Sequence, residues 1–88
     1  MLNLVFNRKV DKFLDKVEKE VAKRIIDSIQ KLQINPFPCD VKRVENQWFD
    51  DEKVFRVRVG AYRILYAINY QKDRLLIVNI DKRSRAFD

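Results

Sequence analysis

The sequence predicts an α+β domain in which two helices cover one face of an antiparallel sheet. Apolar residues recur every three or four positions in the first half, as in a helix with one buried side. In the second half, apolar and polar residues alternate, as in half-buried strands. The chain of 88 residues has no linker-like stretch, so we expect residues 1–88 to form one domain.

The first half predicts a strand followed by a helical hairpin. Residues 2–6 alternate as a short strand, and the helical periodicity then runs from about residue 8 to residue 33. A single helix of that length would measure about 39 Å, too long for so small a domain to cover. We therefore expect a break near residues 18–20, with the prolines at positions 36 and 38 following the second helix.

The second half predicts four more strands. Residues 40–45 suit a short strand, and residues 46–53 suit a polar loop that carries two aromatic side chains. Two alternating runs then flank Gly60-Ala61, and Gly60 suits the first central position of a type II′ turn because glycine reaches positive φ without strain. A last strand over residues 74–80 is apolar on both faces, which is typical of a central or covered strand.

The hairpin around Gly60 brings three arginines together. A two-residue turn places Arg58 opposite Arg63, with Arg56 on the same side of the sheet. Like charges in such positions destabilise a sheet by roughly 0.2–1 kcal/mol. Keeping them together therefore indicates an anionic ligand; the alternative is a solvated strand face balanced by Asp and Glu.

Composition narrows the classes of partner and site. There are 19 basic and 13 acidic residues, a net charge of +6 that favours a polyanion, above all nucleic acid, although a basic protein without such a partner remains the alternative. The absence of histidine, with a single cysteine, argues against a zinc site. We find no candidate membrane span or signal peptide, and with the lone Cys39 this favours the cytoplasm.

Two segments resemble the RelE branch of the RelE/ParE toxin superfamily. That family has an aromatic-basic-apolar-basic-apolar strand and, after a short turn, Tyr-Arg-apolar-apolar-Tyr; residues 55–59 and 62–66 match both. Near its C-terminus the family carries a basic-Arg pair and then an aromatic residue, as residues 82–87 do here. The resemblance extends over essentially the whole chain.

The resemblance implies the toxin of a type II toxin–antitoxin system. Such RelE-like toxins cleave mRNA in the ribosomal A site through attack of a ribose 2′-OH on the adjacent phosphate, without metal or cofactor. The implied partners are a RelB-like antitoxin, mRNA and ribosomal RNA, and no membrane. Carried over by position, the catalytic residues are Arg58, Arg63 and Arg83, and the RNA-binding residues are Arg56, Lys82, Arg85 and Phe87.

Two departures from the family pattern bear on the chemistry. Arginines replace the strand lysines at Arg56 and Arg58, and Phe87 replaces the usual tyrosine, so a phenol can play no part there. Arginine is a poor general base because its pKa is above ~12. Removal of the 2′-OH proton is therefore left open between Lys82, a carboxylate such as Glu52 or Asp81, and the ribosome and substrate.

Two other functions fit the same resemblance. One is a ParE-like toxin, which shares the fold and acts on DNA gyrase. The other is a catalytically inactive relic that serves as an antitoxin-binding or corepressor module. The basic strand pair favours the mRNA endonuclease, whereas the missing histidine and tyrosine keep the relic open.

Overall fold

The computed structural model describes residues 1–38 and 41–82 of the chain. In order, the elements are β1 (Asn3–Phe6), α1 (Arg8–Lys16), α2 (Lys19–Ile34), β2 (Lys42–Phe49), β3 (Glu52–Val59), β4 (Tyr62–Asn69) and β5 (Arg74–Lys82). The strands form one sheet in the order β1-β5-β4-β3-β2. The predicted α+β class and the strand–helix–helix start are confirmed.

The sheet is mixed rather than wholly antiparallel. Strands β2 to β5 pair antiparallel with their neighbours, but β1 pairs parallel with β5, with Leu4 opposite Leu75. Tight turns join β2 to β5 in succession, and a tight turn allows only antiparallel pairing. β1 reaches the sheet edge through both helices instead, so its direction is not set by a hairpin.

The predicted break in the helical half is present, and it lies at Val17 and Glu18, at the N-terminal edge of the predicted residues 18–20. Both residues have extended ψ values, 158° and 145°, which separate the end of α1 from the start of α2. The break lets both helices lie on the sheet, with α1 against β5 and α2 against β3. Their apolar stripes join the helix-side residues of the strands in one core, which includes Val10, Ile25, Ile29, Leu32, Val57, Ile64, Tyr66, Ile77 and Ile80.

The Gly60 hairpin forms as the sequence predicts. Val59 pairs with Tyr62 and Arg58 pairs with Arg63, so Gly60 and Ala61 are the whole loop. Of these two residues only Gly60 has a positive φ, 60°, which fits the first central position of a type II′ turn. This turn fixes which residues of β3 and β4 face the helices.

The prediction of a polar loop at residues 46–53 is wrong. β2 continues to Phe49, β3 begins at Glu52, and the turn between them is Asp50-Asp51. Both aspartates have positive φ, 49° and 63°, as a type I′ turn requires, and aspartate tolerates this region better than most residues. The strand also contains an irregularity between Arg43 and Trp48, which breaks the alternation that would have identified it.

A bulge in β5 changes which side its last residues face. Leu65 pairs with Asn79 but Tyr66 pairs with Ile77, so Val78 is an extra residue. Asn7 holds this point to the start of α1. Its Nδ2 donates to the Val78 carbonyl at 2.9 Å, and its Oδ1 accepts from the Val10 amide at 2.8 Å. Beyond the bulge, Ile80 enters the core and Asp81 lies on the opposite side.

Candidate functional site

The three strand arginines lie on the sheet face that turns away from the helices, which we call the arginine face. Arg58 on β3 pairs with Arg63 on β4, and Arg63 pairs with Asp81 on β5. These residues form a row across three strands, and neighbouring strands are only about 4.8 Å apart. Directly paired residues share a face, so the row brings two guanidinium groups and a carboxylate together.

Arg56 lies two positions from Arg58, in the next row of the same face. It is half-buried and pairs with Lys42 on β2 and with Leu65 on β4. Lys42 is exposed, and the sequence pattern does not mark it as a site residue. Lys42 is assigned to this face by its pairing with Arg56, so the register of β2 against β3 was needed to identify it. The arginine face therefore carries four cationic side chains on β2, β3 and β4.

Arg63 and Asp81 form an ion pair. The Arg63 Nε donates to Asp81 Oδ1 at 2.8 Å, with the side chains 23% and 37% exposed. The second carboxylate oxygen, Oδ2, accepts from Asn79 Nδ2 at 3.1 Å. Asp81 thereby offsets part of the repulsion between Arg63 and Arg58. At Arg63 the structure therefore fits the alternative interpretation, in which an acidic side chain balances the arginine charge.

Beyond Arg56 and Leu65, the next row of the arginine face is apolar. Val54 shares this face by alternation with Arg56, and Ala67 shares it with Leu65. Both are fully buried, and Leu76, which pairs with Ala67, is buried as well. This apolar row separates the four cationic residues near Gly60 from Arg74, an exposed residue that pairs with Asn69 at the far end of the same face.

The remaining predicted site residues are not all placed with the arginines. Lys82 is exposed and pairs with Tyr62, whose ring packs on Phe13 of α1, so it belongs to the helix side of the sheet. Its predicted RNA contact stays a prediction, now made from the end of β5. The predicted catalytic residue Arg83 and the predicted RNA-binding residues Arg85 and Phe87 lie outside the described residues.

The two candidate carboxylate bases occupy different places. Glu52 begins β3, six residues before Arg58, a separation of about 20 Å along an extended strand. It lines a cavity of about 430 Å³ with the exposed aromatic residues Trp48 and Tyr70. Asp81 is the candidate that lies within the arginine row, and both of its oxygens accept hydrogen bonds there.

The chemistry that this arrangement offers is the binding of an anion. Paired guanidinium groups donate charge-assisted hydrogen bonds in a geometry that matches phosphate oxygens. Within residues 1–38 and 41–82, no three His, Cys, Asp or Glu side chains are grouped so as to hold a metal ion. No helix in the same part of the chain is long and apolar enough to span a membrane.

Comparison with known proteins gives concordant matches. A family model described as the ParE toxin of the type II toxin–antitoxin system parDE matches residues 4–87. A curated protein of Methanocaldococcus jannaschii, provisionally named toxin RelE1, is 27% identical over 88 residues, which are 97% of this chain and 93% of the relative.

Two solved structures show the same fold at low identity. The archaeal RelE–RelB complex of Pyrococcus horikoshii contains a chain with a TM-score of 0.81 and 24% identity, covering 96% of this chain and 97% of that one. The isolated RelE toxin of E. coli gives a TM-score of 0.72 at 18% identity, covering 99% of this chain and 92% of that one.

Proposed function

This chain belongs to the RelE/ParE superfamily of type II toxins, and we propose that it is a RelE-like endoribonuclease that cleaves mRNA on the ribosome. The observation that carries the proposal is the pairing of Arg58 with Arg63 at the exposed end of the sheet face that the helices leave uncovered. Both side chains can bind one phosphate, which is the group that such an enzyme must hold. The proposed site of action is the cytoplasm.

In the proposed reaction, the ribose 2′-oxygen forms a bond to the adjacent phosphorus. The bond from phosphorus to the 5′-oxygen breaks, which leaves a cyclic phosphate and a 5′-hydroxyl. Negative charge builds on the non-bridging oxygens as the phosphorus becomes pentacoordinate. Arg58 and Arg63 stabilise that charge from fixed positions on two paired strands, a form of catalysis that needs no movement during the reaction.

The other cationic residues have supporting roles in this proposal. Arg56 and Lys42 lie in the next row, where they would bind the backbone of a neighbouring nucleotide. Arg83 remains proposed as a third catalytic cation, and Lys82, Arg85 and Phe87 remain proposed RNA contacts. Glu52 is too far from Arg58 to serve as the base, so proton removal falls to Asp81, Lys82 or the ribosome and substrate.

We further propose that a RelB-like antitoxin neutralises the protein. The solved relative from Pyrococcus horikoshii is a RelE–RelB complex, which supports a partner of this kind. The basic arginine face favours an acidic antitoxin segment, since opposite charge speeds association and selects the partner. Such a segment would cover the phosphate site and exclude RNA.

A ParE-like gyrase inhibitor is the second candidate, because the matching family model carries the ParE name. The two branches share a fold, so the fold does not separate them. The arginine row favours the endonuclease, since a gyrase inhibitor needs no phosphate site on that face. The curated relative provisionally named RelE1 supports the same choice.

Mapping of mRNA ends after induced expression tests the proposal. Expression of the wild-type chain should arrest growth and create new 5′ ends within translated codons, detected by primer extension. Arg58→Ala and Arg63→Ala should each lower cleavage by about 10²–10³-fold, as loss of one transition-state donor does in other enzymes. The matched control is Arg74→Ala, which removes the same charge from an exposed position at the opposite end of β5.

Three other results would contradict the proposal. Growth arrest with intact mRNA and inhibited DNA supercoiling would identify the ParE-like activity. Antitoxin binding without growth arrest would identify a relic. Equal loss of cleavage in the Arg74→Ala control would mean that total charge, rather than the arginine row, determines activity.

A further inference from the structure

Asp81 owes its place in the arginine row to the bulge at Val78. Counting back from the Asn69–Arg74 pair without the bulge, Arg63 would face Ile80 and Asp81 would point toward the helices. The extra residue reverses the alternation, which buries Ile80 and brings Asp81 beside Arg63. The side-chain amide of Asn7 binds the bulge carbonyl, so the reversal is anchored to the start of α1.

The hydrogen bonds of Asp81 fix the plane of the Arg63 side chain. One carboxylate oxygen accepts from Nε of Arg63 at 2.8 Å, and the other accepts from Nδ2 of Asn79 at 3.1 Å. A guanidinium is planar and has N–H donors on three nitrogens, so holding Nε sets the direction of the two Nη groups. Asn79 in turn prevents the carboxylate from rotating away.

We propose that Asp81 is a positioning residue that directs the Nη groups of Arg63 at the scissile phosphate, an inference that rests on the proposed endonuclease function. Asp81 itself does not bind the RNA, because its negative charge repels phosphate. Its two effects on the reaction therefore have opposite sign. It weakens RNA binding through its charge, and it speeds cleavage of bound RNA by aligning Arg63.

Two substitutions separate positioning from a role as general base. Asp81→Asn keeps an oxygen that can accept from Arg63 Nε, and the Asn79 amide can turn over to face the new NH₂ group. Asp81→Ala removes the acceptor altogether. A general base would be lost equally in both variants, whereas a positioning hydrogen bond is largely restored by asparagine.

The test measures single-turnover cleavage of mRNA on ribosomes at saturating toxin, together with binding of a single-stranded RNA oligonucleotide. We expect Asp81→Ala to cleave about 10- to 100-fold more slowly, the size of effect that misalignment of a reacting group produces. Asp81→Asn should stay within about tenfold of wild type. Both variants should bind the oligonucleotide at least as tightly as wild type, because a repulsive charge is gone.

Asp15→Asn and Asp15→Ala are the matched controls, since Asp15 is exposed on α1, on the helix side of the sheet. They make the same change in charge and should cleave like wild type. Wild-type rates in Asp81→Ala would overturn the proposal. Equal losses of cleavage in the two Asp81 variants would overturn it in favour of a general base.

An independent readout keeps this inference separate from the proposed function. The Nε–H resonance of Arg63 in an NMR spectrum should shift in Asp81→Ala and return toward the wild-type position in Asp81→Asn. If wild-type protein cleaves no RNA, the proposed function fails, and a shifted resonance still supports the positioning hydrogen bond. A resonance that is the same in all three proteins would overturn that hydrogen bond whatever the activity.

Discussion

Arg63 and Ile64 are neighbours in β4, and their side chains leave the sheet on opposite sides. Ile64 is fully buried beneath the helices, among residues that need only be apolar and of suitable size. Arg63 is 23% exposed, and its direction depends on the ion pair with Asp81, which lies in register only because of the bulge at Val78. The helix side is held by burial, whereas the end of the arginine face that carries Arg63 is held by individual polar interactions.

This difference predicts how each face responds to substitution. Truncating a buried side chain on the helix side lowers the stability of the whole domain, because the core is continuous. Removing a hydrogen bond on the arginine face changes the orientation of one charged group while the core remains intact. Stability and activity should therefore be separable between residues that are adjacent in sequence.

The largest expected effect is on the helix side. Ile64→Ala removes a fully buried side chain and should lower the free energy of unfolding by about 2–5 kcal/mol, measured by urea denaturation. Its neighbour serves as the comparison: Arg63→Ala removes one ion pair at a partly exposed position and should lower stability by only about 1–2 kcal/mol, while it lowers cleavage by about 10²–10³-fold. Similar losses of stability in the two variants would show that the arginine face also supports the fold.

The same contrast explains how much of the molecule the sequence predicts. Alternation in β3 and β4, with a glycine at the one place where a two-residue turn fits, is enough to pair Arg58 with Arg63. The helices follow from their periodicity, and the need for a break between them follows from the length that a small domain can cover. These features repeat along the chain, so a pattern can reveal them.

The features that the sequence does not predict are local irregularities, each of which depends on one or two residues rather than on a repeating pattern. The extra residue in β5 is Val78, a good strand residue on either side of a sheet, so nothing in its type marks a bulge. Without it, Asp81 cannot be assigned to the arginine face. Likewise, Asp50-Asp51 forms a turn without glycine. The sequence therefore indicates neither the length of β2 nor the strand residue that Lys42 faces.

A second prediction concerns the link between the two faces at Asn7. Asn7→Ala removes the cap of α1 and the bond to the Val78 carbonyl, and should lower the free energy of unfolding by about 1–3 kcal/mol. Asn7→Ser is the matched variant, since serine can cap the helix but has no amide donor for Val78. Asn7→Ser should recover much of the stability, whereas its cleavage rate should stay below that of wild type because the bulge that places Asp81 is no longer held to α1. Wild-type cleavage in Asn7→Ser would show that the bulge needs no tether to hold Asp81 in place.

The smallest expected effect is at the turn that sets the register of both faces. Gly60 has a φ of 60°, and a Cβ built there would lie 3.9 Å from Nη1 of Arg24, an ordinary contact. The cost of Gly60→Val is therefore conformational rather than steric, and should exceed about 1 kcal/mol because a β-branched residue is strained at positive φ. Ala61→Val is the matched control, since it places a valine at the neighbouring turn position, where φ is not positive. Thermal melts should show a lower midpoint for Gly60→Val than for Ala61→Val. Equal midpoints would mean that the turn tolerates a side chain at Gly60 and that cross-strand pairs, rather than the glycine, hold Arg58 opposite Arg63.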